Sequence, residues 1–417
     1  MSKKTLKINK YFVQIFILIT LIITIFLGLQ CINYSETNIN EAYYYVKKGF
    51  ELLGNDLLDE ALSFFDIALK LNPDCYESYY GKGKVFFIKN ELDKSMYFYK
   101  KSLKINPIYA PAIDGIGSIY HFNKDYKKAI EYFNKAIEID PNYSGSYDNL
   151  GFAYFYLNDY KKSMIYFNKS IRIEPRFADS YFGRGKIFQE LGNDEKALKD
   201  FNRAIMLDSN FFEAYLARGL IFADSLEFNN ALQDLNNAAQ INPNYSSLFF
   251  ERAEVYFWMG EFEKGLKDLE QADLIGSRVR IKDSSYIDFS SDIHILRGLL
   301  LNKLNHKEKA KKEVKKGLML VNNYKEMTNF YRLGYGYLLV KNYKKALKLF
   351  NNELDTNKHK FYGRALAYYN LNKKQEAILD LKKAVMILPN CWERNEAEDL
   401  LNIIIVQQEK HQHKFCD

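Results

Sequence analysis

The chain is predicted to be an all-α solenoid of helix-turn-helix repeats, with an apolar transmembrane or signal helix at its amino end and a capping helix at its carboxyl end. Three observations predict it: a fixed 34-residue period, apolar residues at helical spacing inside each period, and one long uncharged run near the start. Gly117, Tyr120, Ala129, Phe133, Ala136 and Pro141 return as Gly151, Tyr154, Ser163, Phe167, Ser170 and Pro175. Stepping back gives Gly83, Phe86, Ser95, Tyr99, Ser102 and Pro107, then Gly49, Leu52, Ala61, Phe65, Ala68 and Pro73. A forward step gives Gly185, Phe188, Ala197, Phe201 and Ala204, with Ser209 where the proline stood. One helix pair cannot bury its apolar face alone, so such a period marks a stacked array.

The amino end comes first. Residues 1–10 are basic through Lys3, Lys4, Lys7 and Lys10, and residues 11–30 form the transmembrane or signal segment. Tyr11–Leu29 carries no charge and as a helix would span roughly 28 Å, the thickness of a bilayer core. The basic flank would stay in the cytoplasm and deliver the rest outside. A second reading makes Cys31 the lipidated first residue of a lipoprotein, although Gln30 fits poorly beside such a site. Residues 31–41 are a polar tether.

Residues 42–276 hold seven repeats: 42–75, 76–109, 110–143, 144–177, 178–211, 212–245 and 246–276. In the third, Ile113, Ile116, Ile119 and Tyr120 mark a first helix, and Ile130, Phe133, Ala136 and Ile137 mark a second. Pro141 ends the unit, since proline neither continues a helix nor favours one in Asp140 before it. Residues 277–290 read as an inserted polar loop, and residues 291–391 as three partly degenerate repeats (291–324, 327–357, 358–391). Residues 392–417 form the capping helix and tail, apolar at Leu400, Leu401, Ile404 and Ile405.

Composition narrows the function. The net charge is +7, four of it from the first ten residues, and the rest is Lys interspersed with Glu. That pattern is a solvated surface and argues against a nucleic-acid partner. The four cysteines (Cys31, Cys75, Cys391, Cys416) show no metal-ligand spacing and no disulfide framework. His411, His413 and Cys416 read as a frayed tail rather than a metal site. No phosphate loop, nucleophile elbow or zinc-protease signature occurs, so no catalytic residue, cofactor or metal is expected. Carboxylate pairs such as Glu251/Glu254 are expected on solvated helix surfaces.

The order Tyr147, Leu150, Gly151, Tyr154, Ser163, Phe167, Ser170, Pro175 resembles the tetratricopeptide repeat family, and the resemblance covers nearly all of residues 42–391. It implies a right-handed superhelix whose first helices line a concave groove that takes a peptide or helix. Groove positions of the second to fifth repeats would then be Tyr80, Lys84, Phe87, Asp114, Ser118, Phe122, Asp148, Asn149, Phe152, Tyr156, Phe182 and Lys186, beside His121, Phe155 and Gln189. The family's clamp for a chaperone tail is missing, because Asp114 and Ser118 stand where Lys and Asn belong. The expected function is a membrane-tethered scaffold on the outer, periplasmic side of a bacterial cytoplasmic membrane, binding a protein or peptide partner. Alternatives are a lipoprotein, lipidated at Cys31, that assembles a cell-envelope complex, and an organelle import receptor.

Overall fold

The computed structural model describes residues 38–280, 290–321, 330–353, 357–389 and 391–413, and every element among them is a helix. The proposed anchor at 11–30 and Cys31 lie outside the described residues. Among those described, no helix is long and apolar enough to cross a membrane.

The chain divides into two compact units, the first ending at Ile187 and the second beginning at Phe188. The first holds α1 (residues 38–54), α2 (Leu58–Leu71), α3 (Tyr76–Ile88), α4 (Leu92–Ile105) and α5 (Ala110–Phe122). It continues with α6 (Tyr126–Ile139), α7 (Ser144–Tyr156), α8 (Tyr160–Ile173) and most of α9 (Ala178–Glu190). The second holds α10 (Asp194–Leu207), α11 (Phe212–Asp224), α12 (Phe228–Ile241), α13 (Ser246–Met259), α14 (Phe262–Arg280) and α15 (Ser290–Lys303). It ends with α16 (Lys307–Val321), α17 (Phe330–Leu339), α18 (Tyr343–Asn352), α19 (Lys360–Asn370), α20 (Lys374–Ile387) and α21 (Trp392–His413). Odd-numbered helices up to α19 are the first (A) helices of their pairs and even-numbered ones the second (B).

The A-to-B turn repeats in detail. Asp56, Asn90, Lys124, Asn158, Gly192, Leu226 and Gly260 all have positive φ, at intervals of 34 residues. Beside them Asn90 N–H bonds Phe87 C=O at 2.9 Å and Glu91 N–H bonds Phe86 C=O at 2.8 Å. These are the paired bonds of a left-handed helix end, which satisfy carbonyls the helix leaves open. The next residue then caps the B helix: Asp125, Asp159 and Asn193 accept from the N–H three residues on.

In the first unit stacking rests on one buried ring per repeat: Phe65, Tyr99, Phe133 and Phe167. Phe65 abuts Gly49 of its own A helix and Gly81 of the next, and Phe167 abuts Gly151 and Gly183. A methyl group added at Gly183 would come within 2.2 Å of the Phe167 ring, so glycine here is a matter of space. Where Ser replaces Ala at the crossing, its hydroxyl is satisfied: Ser95 and Ser163 donate to the carbonyls of Gly83 and Gly151 at 2.8 and 2.7 Å.

The second unit is held differently. Arg218, Arg252 and Arg364 each grip the Asp sixteen residues later (Asp234, Asp268, Asp380) through two bonds of 2.6–2.7 Å. Its apolar residues form one continuous core from Phe212 to Ile404, whereas the first unit holds several small clusters. The capping helix takes part in that core. Trp392 donates its indole N–H to the Phe257 carbonyl at 2.6 Å, and Lys303 sits 3.3 Å over its ring. Two boundaries differ from the sequence expectation. Helix α1 already runs at residue 38, inside the expected tether, and α14 continues through Arg280, past the expected loop start at 277, because no proline stops it.

Candidate functional site

On the first unit, equivalent A-helix residues line up in columns 34 residues apart. The fifth positions are Tyr80, Asp114, Asp148 and Phe182, and the ninth are Lys84, Ser118, Phe152 and Lys186. The twelfth and thirteenth are Phe87, His121 and Phe155, then Ile88, Phe122 and Tyr156.

At the turn end this face is apolar and open. Ile88, Phe122 and Tyr156 are 49%, 53% and 54% exposed, an unusual state for three large apolar side chains in register. Rings brace the two aromatic ones. Phe87 meets Phe122 edge-on at 6.0 Å, His121 meets Tyr156 at 5.4 Å, and Tyr126 stacks on Tyr156 at 5.6 Å. His121 Nε2 is a buried nitrogen with no hydrogen-bond partner, and burial lowers the ring's pKa.

In the middle the face is acidic and braced. Asp114 accepts from Ser146 at 2.7 Å and from the Asn149 amide at 3.1 and 3.0 Å, tying α5 to α7. Burial pushes its pKa up to about 6, opposed by those two bonds and by the Lys84 charge. One repeat on, Asp148 accepts from Ser180 at 2.7 Å, and burial together with Asp179 raises its pKa well above the usual range. Lys84 reaches solvent, yet the surrounding walls lower its pKa by desolvation, while Asp114 and Asp179 pull the other way. At the far end Tyr80 packs against Tyr99 and Tyr109, at 5.8 and 5.4 Å, and its phenol is held strongly protonated by burial and by Tyr143.

Four sequence profiles match this framework: "Tetratricopeptide repeat" at residues 115–143, at 144–177 and 361–391, and at 47–110, and "TPR repeat" at 185–225. These segments are tetratricopeptide repeats. A chain of the APC/C hetero-tetramer Cut9–Hcn1 shares the TPR fold, with TM-score 0.51 at 16% identity over 87% of this chain and 76% of that one. Two shorter structures align with part of the chain. PilF of Pseudomonas aeruginosa does so at 16% identity over 52% of this chain and 99% of its own, with TM-score 0.41. YrrB, described as a TPR protein with an unusual peptide-binding site, does so at 23% identity over 44% and 97%, with TM-score 0.30. No curated protein matches the sequence.

The twelve residues expected to line the TPR groove divide three ways. Phe122 and Tyr156 are exposed, Phe87 and Tyr80 half-buried in ring contacts, and Lys84 open to solvent. Asp114, Asp148 and Asn149 are tied to Ser146, Ser180 and each other, so they brace adjacent repeats. Ser118 bonds back to the Asp114 carbonyl at 3.2 Å, and Phe152 rests edge-on against the stacking ring Phe167 at 4.9 Å. Phe182 and Lys186 are half-buried on α9. Ile88 was missing from that expectation, although its spacing from Phe122 and Tyr156 could have found it.

The expectation for Glu251 and Glu254 is corrected. Glu254 is 7% exposed and bonded by Arg332 at 2.9 and 3.0 Å and by the Tyr331 hydroxyl. Protein also crowds Glu251. The A helices of the later repeats are covered on both faces, which turns a nominal surface into an interior.

Proposed function

We propose that this chain is a protein-interaction scaffold that holds a partner peptide or helix along the open A-helix face of its first unit. TPR proteins as a group bind protein or peptide partners and are in general scaffolds rather than enzymes. The observation that carries the reading is the column Ile88, Phe122, Tyr156. Three exposed apolar side chains, of which Phe122 and Tyr156 are prebraced by ring contacts, offer area at little entropic cost. Lys84, open to solvent beside them, supplies polar selection, and the uncharged run at 11–30 would confine the scaffold to a membrane, with the array outside the cytoplasm.

Photocrosslinking from positions 122 and 156 tests the face, with position 97 on α4 as an exposed control. The same partner should be captured from 122 and 156 and not from 97. Capture from 97 alone, or undiminished partner binding by a Phe122→Ala/Tyr156→Ala variant, contradicts the reading. Protease protection of the array on intact cells tests the proposed topology.

A further inference from the structure

Helix α1 is a full turn longer than the 13 residues of α3, α5, α7 and α9. The excess lies at its start. Residues 38–41 are helical where the later units carry the turn that closes the preceding repeat. Helical spacing gathers Ile39, Tyr43, Tyr44 and Lys47 on one side of α1. All four are exposed, the first three to 51%, 66% and 54%.

In the repeats that follow, this side faces the preceding repeat. The equivalents of Tyr44 (Ser78, Ala112, Ser146 and Ser180) are fully buried. The equivalents of Lys47 include Gly81, Gly115 and Gly183, where an added methyl group would come within 2.2–2.5 Å of the preceding repeat's ring. A lysine there leaves no room for such a ring, so neither a further repeat nor the end of a second copy can stack on α1 in this way. The chain breaks its own period at the two positions that stacking needs small.

What covers this face must therefore suit tyrosine, isoleucine and lysine together. Tyrosine rings and lysine stems are apolar with a polar tip, the shape that fits the headgroup level of a bilayer. Lys48 neutralises Glu51 at 2.7 Å, whereas Lys47 forms no ion pair among the described residues. The place of α1 in the chain points to the same surface. Only the eight residues 30–37 separate it from the uncharged run Tyr11–Leu29. Fully extended, eight residues reach about 28 Å, which keeps α1 at the bilayer surface once that run is inserted.

We propose that this side of α1 lies on the phospholipid headgroups, with Ile39, Tyr43 and Tyr44 between them and Lys47 on a lipid phosphate. The proposal rests on the membrane segment at 11–30 put forward above. It adds that the bilayer orients the first unit, which would otherwise swing on its tether.

The test uses the full chain reconstituted in phosphatidylcholine–phosphatidylglycerol vesicles whose lipids carry quenching bromines either beside the headgroup or deep in the acyl chain. Three variants each add one tryptophan to the 2 native ones, which give a common background. Tyr44→Trp sits in the proposed contact, Leu21→Trp in the uncharged run, and Tyr97→Trp on α4 is an exposed control. Shallow bromines should quench at position 44, deep bromines at 21, and neither at 97. Lys47→Glu, added to Tyr44→Trp, should lower the ratio of docked to undocked chain roughly fivefold. Lys47→Arg should preserve it. Quenching at 21 without quenching at 44 would overturn the proposal and spare the anchor, as would equal quenching at 44 and 97 or indifference to Lys47→Glu. No quenching at 21 would remove the anchor, and the proposal with it.

Discussion

The fifteenth residue of each regular repeat must adopt a backbone that most side chains resist, and the chain meets this with Asp, Asn, Lys, Gly and Leu in turn. An L side chain in the left-handed region costs about 1–2 kcal/mol, least for Asn and Asp and almost nothing for Gly. Gly192 has φ +68° with open space around it, so a methyl group there meets no atoms and only the backbone objects. Gly192→Ala should therefore lose about 1 kcal/mol in urea unfolding. Gly54 also has open space but ends α1 with ordinary φ, and Gly54→Ala should gain roughly 0.5–1 kcal/mol. Equal effects at the two sites would refute the conformational account. The 34-residue period relates these turns to one another, because self-similarity needs no knowledge of packing. It could not separate Asp114, which braces α7, from Phe122, which is free, since both occupy the same helix face.

Helix pairs in the first unit are fastened by ring-in-glycine packing, and several in the second also by bidentate ion pairs. Arg252 and Asp268 are both mostly buried, with side chains 16% and 10% exposed, and the Asp268 bond raises the arginine's pKa. Removing one partner leaves the other charge desolvated and alone. Arg252→Ala should cost roughly 2–3 kcal/mol, a figure set by the stranded carboxylate rather than by the bond's net worth. Lys264→Ala, which breaks an open pair with Glu261, should produce no measurable change in the same assay. The Arg-to-Asp spacing of sixteen residues was present in the sequence, but meaningless until the A and B helices were placed side by side. Closure of the later repeats was half legible. Their A helices carry apolar residues all round, as in Leu248, Phe250, Ala253, Val255 and Phe257, which a helix with one open face does not need. Their missing prolines and inserted segment drew attention instead to erosion.

Across the whole molecule, buried carboxyls set the response to pH. Asp114 rises from 3.8 to about 6 and Asp148 moves the same way, so the folded chain holds these protons more tightly than the unfolded one. For Asp114, stability then falls as pH climbs from about 4 to about 6 and its deficit is complete above that, while Asp148 adds a fall in the same direction. Asp114 alone contributes about two units, or roughly 3 kcal/mol at most. Asp114→Asn should flatten the profile between pH 4.5 and 7.5 by up to that amount, and parallel profiles would contradict the assignment. The same residues divide the labour of the scaffold: Asp114 and Asp148 hold the repeats in register, and Ile88, Phe122 and Tyr156 remain open. The most direct test is hydrogen exchange of the full chain with and without the partner captured from positions 122 and 156. Added protection should fall on the last turns of α3, α5 and α7; protection confined to residues 188–413, or to the B helices, would contradict the account.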